Sequence, residues 1–342
     1  MKLEKMYKQM HSVLKGSLPD EYIREKANLA MEILQLKEER NAVILGHNYM
    51  EPALFHFIPD FKGDSLELSR KAAETDKDVI VFCGVEFMAE TAKILSPDKT
   101  VLVPSDKAGC SLAESITAED VRMLKKKFPG VPVVTYINTY ADVKAECDIC
   151  CTSGNAKRVV ESLGSDTVIF LPDEFLAKNV AMETGKKIIF PSVHDSTPNG
   201  YKGSEMIGWP GRCQVHEQFT DDDVLNVRQS HPDAIILAHP ECSPEVTSKV
   251  DFSGSTSAMI DYVAKTDAKK FMLLTECSMA DNIAAEYPEK ELVRMCSIRC
   301  PHMAQITVED TRNALRDLKF EVTLDEELRK KAERSVQRML EI

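Results

Sequence analysis

The sequence has no long apolar run. Its longest runs, such as residues 80–85, have only the length of a strand, which excludes a membrane-spanning helix. Positive charge is also scarce: 43 Lys and Arg against 55 Asp and Glu leave a net charge of −12, which argues against nucleic acid or an anionic membrane surface as a partner.

The N-terminal segment MKLEKMYKQM lacks the apolar centre of an export signal, so we expect a cytoplasmic protein. Ten cysteines among 342 residues fall far below the roughly 8–10% typical of a disulfide scaffold, and reduced thiols favour metal binding or catalysis.

Short runs rich in Val, Ile and Leu alternate with helical patterns along most of the chain. Because these runs show little polar alternation, they indicate parallel strands buried on both faces. The nine runs are 41–47, 78–84, 100–105, 131–138, 167–172, 187–193, 234–241, 270–276 and 293–297. Strands that alternate with helices predict an α/β protein.

The nine runs form three sets of three, and the third unit of each set shows the repeat best. A cysteine is followed seven residues later by a Thr-x-x-Asp pattern three times, at Cys110–Thr117, Cys213–Thr220 and Cys300–Thr307. Each pattern is a capping box with Asp in place of Glu or Gln. The sequence therefore predicts three similar three-layer αβα domains with short parallel sheets, related by pseudo-threefold symmetry around a central site.

The domain boundaries are expected near 129–130 and 231–232. Domain one then covers residues 1–129, domain two 130–231 and domain three 232–323. The charged amphipathic helix at 324–342 is expected to pack back on domain one.

The pseudo-threefold arrangement would bring Cys110, Cys213 and Cys300 together on one axis. Three thiolates suit a metal ion or an iron–sulfur cluster, and three protein ligands leave one position open for a substrate oxygen. The segment Cys147-x-x-Cys150-Cys151 has metal-like spacing, but no second Cys-x-x-Cys completes a zinc site, so we interpret it as core.

Several polar residues stand where predicted strands end, which is where parallel α/β sheets bind ligands. His239 and Glu241 are two apart on one face of an extended strand, a pairing that favours acid–base chemistry. The remaining strand-end candidates are His47, Tyr49, Cys83, Tyr136, Asn138 and His216.

Three segments rich in Ser, Thr and Gly, at 63–65, 151–155 and 254–257, precede predicted helices. Free amides and the helix dipole at such starts favour anions, so three of them suggest a substrate with carboxylate and phosphate groups. The segment 194–211, rich in Gly, Pro and Ser, is interpreted as a long loop or lid over the site.

These motifs together resemble the quinolinate synthase family, in the right order from about residue 40 to 310. The segments that carry the resemblance are GHNY, GDSLELSRKAAETDKDVIVFCGVEFMAETAKILSPDKTV, AGCSLAE, TYINT, CTSGNA, WPGRCQVHE, AHPEC, GSTS and CPHM. The resemblance implies a three-domain pseudo-threefold fold with one [4Fe-4S] cluster per chain. It also implies condensation of iminoaspartate with dihydroxyacetone phosphate to quinolinate, phosphate and water in NAD biosynthesis, with the open iron as a Lewis acid for dehydration.

The resemblance also assigns residues. Cys110, Cys213 and Cys300 match the cluster ligands. The catalytic set implied is His47, Tyr49, Tyr136, His239 and Glu241, and the substrate-binding set is His47, Ser65, Tyr136, Asn138, Ser153, His239, Glu241, Ser255 and Thr256.

The chain departs from the family at two places. Cys296-x-x-x-Cys300-Pro stands where some members read C-x-x-C-x-x-C-P, which puts a disulfide switch there in doubt, and Met50 stands where many members have Gln. A transient contact with an iminoaspartate-producing oxidase or dehydrogenase is a further hypothesis about partners.

Two other classes of function remain open from the residues alone. One is a different iron–sulfur hydro-lyase acting on a polycarboxylate, which would dehydrate its substrate without forming quinolinate. The other is a non-catalytic, metal-stabilised protein that binds an anionic metabolite, although the pairing of His239 with Glu241 argues against it. A nicotinamide dehydrogenase is disfavoured because no G-x-G-x-x-G follows a first strand.

Overall fold

The fold is an α/β architecture with three short parallel sheets flanked by helices. A computed structural model describes residues 2–191, 205–294 and 298–342. Its strands are β1 Ala42–His47, β2 Phe61–Gly63, β3 Val79–Cys83, β4 Thr100–Leu102, β5 Val133–Tyr136, β6 Ile149–Cys151, β7 Val168–Leu171, β8 Lys187–Ile189, β9 Glu205–Gly208, β10 Ile235–Ala238, β11 Phe252–Ser253, β12 Lys270–Leu274 and β13 Glu291–Leu292. Its helices are α1 Leu3–Leu14, α2 Asp20–Glu39, α3 Pro52–Phe57, α4 Ser65–Glu74, α5 Glu86–Leu95, α6 Ala118–Lys127, α7 Ala141–Glu146, α8 Ala156–Ser162, α9 Glu174–Thr184, α10 Asp221–Ser230, α11 Pro244–Thr247, α12 Thr256–Lys265, α13 Cys277–Glu286, α14 Val308–Asp317 and α15 Glu326–Leu340.

By internal contacts the chain divides into two compact units, which are described separately. The first unit comprises Met1–Gly109 and Glu276–Thr323, and the second comprises Cys110–Thr275 and Leu324–Ile342. No helix in the described ranges combines the length and the apolar character needed to cross a membrane.

The first unit is built on the sheet β2-β1-β3-β4, whose strands pair in parallel. The central strands β1 and β3 are buried along their whole length, as their unbroken apolar sequences predict. Helix α2 packs on α1 and on α14, and α4 packs on α5.

The second unit holds the parallel sheet β6-β5-β7-β9-β8 and three parallel strands of another sheet in the order β11-β10-β12. The first sheet and these two share one pattern, in which one strand lies between the next two strands along the chain. The central strands are β1 between β2 and β3, β5 between β6 and β7, and β10 between β11 and β12. The predicted α/β class with three parallel sheets is confirmed, whereas the pseudo-threefold symmetry and the domain boundaries stay predictions.

An aspartate repeats at the edge of each sheet. The carboxylates of Asp60, Asp148 and Asp251 accept the backbone N–H of Ile44, Val133 and Ile236 at 2.8, 2.7 and 2.7 Å. In return, the backbone N–H groups of these aspartates donate to the carbonyls of Ile44, Val133 and Ile236, respectively. Each pair joins the residue just before β2, β6 or β11 to the neighbouring strand β1, β5 or β10. The three sheets therefore also share a local hydrogen-bond pattern.

The repeat around the three predicted ligand cysteines is equally regular. The carbonyls of Cys110, Cys213 and Cys300 each accept a backbone N–H from four residues on, at 3.0 Å in all three cases. Short 3-10 helices follow at Ala113–Ser115, His216–Gln218 and Met303–Gln305. The predicted capping boxes are confirmed at all three sites, the starts of α6, α10 and α14.

The C-terminal helix α15 packs on α7 and β6, inside the span predicted as domain two, whereas it was expected to pack on domain one. The Ser335 hydroxyl donates to the carbonyl of Lys144 at 2.9 Å, and the Arg338 guanidinium donates to the carbonyl of Asp148 at 2.6 Å. An amphipathic pattern reports only that one helix face is buried, and it does not identify the surface that buries it.

Eight of the nine predicted strands overlap observed ones. The ninth, at 293–297, differs: β13 ends at Leu292, and residues 295–297 lie outside the described part. Strands β2, β6, β9 and β11 were not predicted, because none of them lies in an apolar run like those that predict the other strands. The predicted loop or lid at 194–211 is corrected in part, since its described residues include strand β9, while 194–204 lie outside the described residues.

Candidate active site

Glu241 is the centre of a buried polar cluster in the second unit, three residues after β10 ends. Its side chain is almost completely buried, and Oε2 lies 2.6 Å from Nδ1 of His216. Oε1 accepts the side-chain amide of Asn138 at 3.2 Å. Burial alone would raise the pKa of Glu241, but attraction to His216 and His239 and hydrogen bonds from His216 and Tyr136 outweigh it and lower the pKa to about 2. Glu241 is therefore a carboxylate at neutral pH.

His239, at the same strand end, faces both Glu241 and Ser153. Its Nδ1 accepts the backbone N–H of Glu241 at 3.3 Å and lies 3.4 Å from Oε2 of the same residue. In the neutral ring the proton is then on Nε2, which lies 3.3 Å from the Ser153 hydroxyl. His239 can thus present an N–H donor beside Ser153.

The predicted anion-binding residues of this unit stand at or just before helix starts. Ser255 caps α12 by accepting the backbone N–H of Ala258 at 3.3 Å, and Thr256 is the first residue of that helix. A Cβ on Gly154 would lie 3.5 Å from the Ser255 hydroxyl, so the loop with Ser153 and the start of α12 are neighbours. The structure thus brings Ser153, His239 and Ser255 into one region.

Cys110 and Cys213 belong to the same unit and influence each other electrostatically. Burial, followed by the negative charges of Glu241 and Cys110, raises the pKa of Cys213. A positively charged centre bound to these thiolates would remove that cost, because metal binding displaces the thiol protons. The donor set of soft thiolates with an adjacent carboxylate therefore fits a metal or an iron–sulfur centre.

The loops that carry these two cysteines are joined by direct contacts. The Trp209 indole N–H donates to the carbonyl of Ser115 at 2.9 Å. The backbone N–H of Gly211 donates to the carbonyl of Pro172 at 3.1 Å, and its carbonyl accepts the N–H of Glu174 at 2.7 Å. These contacts hold the Cys213 segment against its neighbours before any metal is considered.

In the first unit, His47 and Tyr49 end β1 with the same local geometry as His239 and Glu241. Nδ1 of His47 accepts the backbone N–H of Tyr49 at 3.3 Å, and the two rings lie edge to face at 4.8 Å. Ser65 is the first residue of α4, and its neighbour Asp64 forms the capping box with Glu67. The helix start that carries Ser65 is thus capped by Asp64.

Cys300 also lies in the first unit, beside a buried acid. Its backbone N–H donates to Oε1 of Glu276 at 3.4 Å, and Glu276 also accepts the N–H of Ser278 at 2.7 Å. Burial raises the pKa of Glu276 to about 7, although these hydrogen bonds and the charge of Arg299 lower it in part. In the second unit Asp173 is comparable, because it caps α9 by accepting the backbone N–H of Leu176 at 2.6 Å.

The cysteines interpreted as core are buried and hydrogen-bonded. The thiol of Cys147 donates to the carbonyl of Val143 at 3.1 Å, and that of Cys150 to the Ser335 hydroxyl at 3.4 Å. Burial raises the pKa of Cys150 to about 11 and that of Cys83 to about 12. Cys151 is buried in β6, and Cys296 lies outside the described residues.

The sequence analysis gave no role to two residues of this cluster. His216 was only one of several strand-end candidates, and Asp173 was not considered. Asp173 is fully buried, and burial together with the charge of Glu241 raises its pKa well above the ordinary range. The recurrence of an acid before a helix start in successive repeats was the only signal that pointed to Asp173.

Fold and site together define an α/β enzyme whose acid–base groups lie at the carboxyl ends of parallel strands. The family model described as quinolinate synthetase A protein matches residues 31–341. The chain is 55% identical over 310 residues to a quinolinate synthase of Agrobacterium fabrum, covering 91% of this chain and 84% of that protein. It is 50% identical over 340 residues to a quinolinate synthase of Xylella fastidiosa, covering 97% of this chain and 95% of that protein. The chain therefore belongs to the quinolinate synthase family, enzymes of NAD biosynthesis, and the function predicted from the sequence is confirmed.

Proposed function

We propose that this quinolinate synthase condenses iminoaspartate with dihydroxyacetone phosphate, and that Glu241 and His239 carry its acid–base chemistry. The observation that supports this most directly is the buried Glu241 carboxylate, held by His216 at 2.6 Å and by Asn138 at 3.2 Å. A carboxylate fixed at a strand end is poised to accept a proton from a bound intermediate.

One [4Fe-4S] cluster is proposed on Cys110, Cys213 and Cys300. Three features support this ligand set: the shared local structure of the three cysteines, the electrostatic coupling of Cys110 to Cys213, and the soft donor chemistry. When bound, such a cluster supplies Lewis acidity at its open iron for the dehydration step.

The polar side chains around Glu241 divide the remaining work. The Nε2 proton of His239 can be donated to a substrate oxygen, and the Tyr136 hydroxyl, which bonds to Glu241, can position a second one. Oδ1 of Asn138 is buried and has no hydrogen-bond partner among the described residues, so it can accept an N–H or O–H of the substrate.

The carboxylate and phosphate groups of the substrates are proposed to bind at the helix starts. Ser255 and Thr256 open α12, and Ser153 lies beside them. Ser65 opens α4 in the first unit, where His47 and Tyr49 are proposed to join the same chemistry. Backbone N–H groups and the positive helix end stabilise such anions.

The decisive experiment is anaerobic purification, followed by iron and sulfide analysis and a quinolinate assay with both substrates. About four irons and four sulfides per chain are expected for a cubane cluster. Glu241→Gln should keep the cluster and lose turnover, whereas Glu245→Gln, the same change at an exposed position four residues away, should keep both. Full activity in Glu241→Gln, or stoichiometric zinc in place of iron, would contradict the proposal.

Two further points stay predictions. One is a cytoplasmic location. The other is a transient contact with an oxidase or dehydrogenase that supplies iminoaspartate.

A further inference from the structure

His216 occupies a position in which both of its ring nitrogens are engaged. It opens the 3-10 helix that follows Cys213, and its side chain is 2% exposed. Nδ1 lies 2.6 Å from Oε2 of Glu241, and Nε2 lies 2.9 Å from the hydroxyl oxygen of Thr275. A ring bound at both ends has a fixed orientation.

The plane of the ring is fixed as well. The imidazoles of His216 and His239 stack with their centroids 4.5 Å apart and their planes 24° from parallel. Glu241 is bounded by both rings, because Nδ1 of His239 lies 3.4 Å from the same Oε2. The carboxylate can turn only by breaking contacts with His216.

The hydrogen-bond directions follow from the chemistry of the partners. The ionised carboxylate of Glu241 can only accept, so Nδ1 of His216 must carry the proton that it donates. In the neutral ring Nε2 is then an acceptor of a hydrogen bond. The Thr275 hydroxyl can supply that bond, so it supports the tautomer of His216 that holds Glu241.

The two oxygens of Glu241 differ in consequence. Oε2 is held by a short bond to a fully buried ring, whereas Oε1 accepts a longer bond, at 3.2 Å, from Asn138, which is only partly buried. The Tyr136 hydroxyl bonds to the same carboxylate. We propose that His216 is a positioning residue that fixes Oε2 of Glu241 and so sets the orientation in which this carboxylate accepts the substrate's proton. This inference rests on the proposed function of Glu241.

A competing role for His216 is metal ligation. Its Nδ1 lies 3.2 Å from the sulfur of Cys213, and donor atoms of Cys213, His216 and Glu241 all lie within 4.8 Å of one another. The experiment must therefore separate support of Glu241 from support of a metal centre.

Two amide variants make that separation. In His216→Asn the amide nitrogen can stand near the position of Nδ1 and still donate to Glu241, whereas in His216→Gln it stands near Nε2 and leaves Glu241 without its donor. The anaerobically purified variants are compared in kcat, KM, iron and sulfide content and visible absorption. We expect His216→Gln to lose about 100-fold in kcat and His216→Asn to stay within about 10-fold of wild type, with KM within about threefold. Iron and sulfide should equal the wild-type values in both variants.

Each other outcome overturns the inference. Loss of iron from both variants would make His216 a ligand or a support of the metal centre. Equal kcat values in the two variants would show that the donor at Nδ1 is irrelevant. If neither variant folds, Thr275→Val decides: it should lower kcat by about 10-fold with normal iron content, and Thr275→Ser should restore it. A wild-type enzyme that forms no quinolinate would instead overturn the proposed function itself.

Discussion

Asn179 and Asn282 hold equivalent loops in the two units. The side-chain amide of Asn179 donates to the carbonyls of Pro240 and Cys242 at 2.8 and 3.0 Å. The amide of Asn282 donates to the carbonyls of Asn48 and Met50 at 3.1 and 2.9 Å. Each asparagine is the sixth residue of its helix, α9 or α13, and each fixes the turn after a strand-end histidine. Tyr49 and Glu241 thus occupy matching positions in two repeats.

These two asparagines are predicted to stabilise both the fold and the site. Asn179→Ala removes three hydrogen bonds, including the one from the Thr247 hydroxyl, and Asn282→Ala removes two. Both leave buried carbonyls unsatisfied, so each should lower the free energy of unfolding by about 1–3 kcal/mol. Asn179→Ala should also reduce kcat, because the turn that carries Glu241 loses its anchor. Urea unfolding and steady-state kinetics measure the two effects. Asn28→Ala, which removes one exposed hydrogen bond on α2, is the control, and an equal loss of stability in it would contradict the prediction.

The cysteines are predicted to separate into ligands and core. Cys110→Ala, Cys213→Ala and Cys300→Ala should each purify with little or no iron, since a cubane loses one of its three protein thiolates. Cys150→Ala is the control, because that thiol is buried against Ser335 and burial raises its pKa to about 11. Iron and sulfide analysis after anaerobic purification tests this set. A Cys300→Ala variant with full iron content would remove Cys300 from the ligands.

Gly211 is predicted to be required for the placement of the Cys213 loop. A Cβ at this buried position would clash with the Ser115 hydroxyl and lie 2.7 Å from the carbonyl oxygen of Pro172. Gly211→Ala should therefore cost about 1–3 kcal/mol in unfolding free energy and lower the iron content. Gly16→Ala is the matched control, since a Cβ there meets nothing within 4 Å. If the two variants unfold at the same urea concentration, the close approach is not limiting.

His56 is predicted to make stability fall in mild acid. Burial, with a smaller effect of the Lys62 charge, lowers its pKa to about 4, against about 6.5 in the unfolded chain. Between these values the unfolded chain binds a proton that the folded chain does not. Stability should therefore decrease as the pH falls from about 6.5 to 4, by at most about 3 kcal/mol.

His56→Gln should flatten the dependence of unfolding free energy on pH over that interval. Urea unfolding at several pH values gives the slope directly. Asn28→Ala, a change at an exposed position of α2 that removes no titratable group, should leave the slope as in wild type. An unchanged slope in His56→Gln would assign the acid sensitivity to other groups.

Much of the fold and part of the site could be predicted because they depend on local chemistry. The buried strands β1, β3, β7, β10 and β12 are continuous apolar runs, and the capping boxes at Thr117, Thr220 and Thr307 need only a fixed spacing. The edge strands β2, β6 and β11 were not predicted, since each has only two or three residues and lies outside the longer apolar runs. The segment Cys147–Cys151 illustrates this: its spacing suggests a metal site, but its last three residues form strand β6 and its thiols are buried.

The sequence by itself determined the α/β class, the threefold recurrence of Cys with its capping box, and the family, because each of these rests on residue types at short, fixed separations. Tertiary structure alone decided that His216 meets Glu241 at 2.6 Å, that Asp173 is fully buried, and that α15 packs on α7. The physical reason is distance along the chain. Residues that are 25 or 191 positions apart meet only after the sheets and loops have folded, and a pattern of neighbouring residues does not encode that meeting.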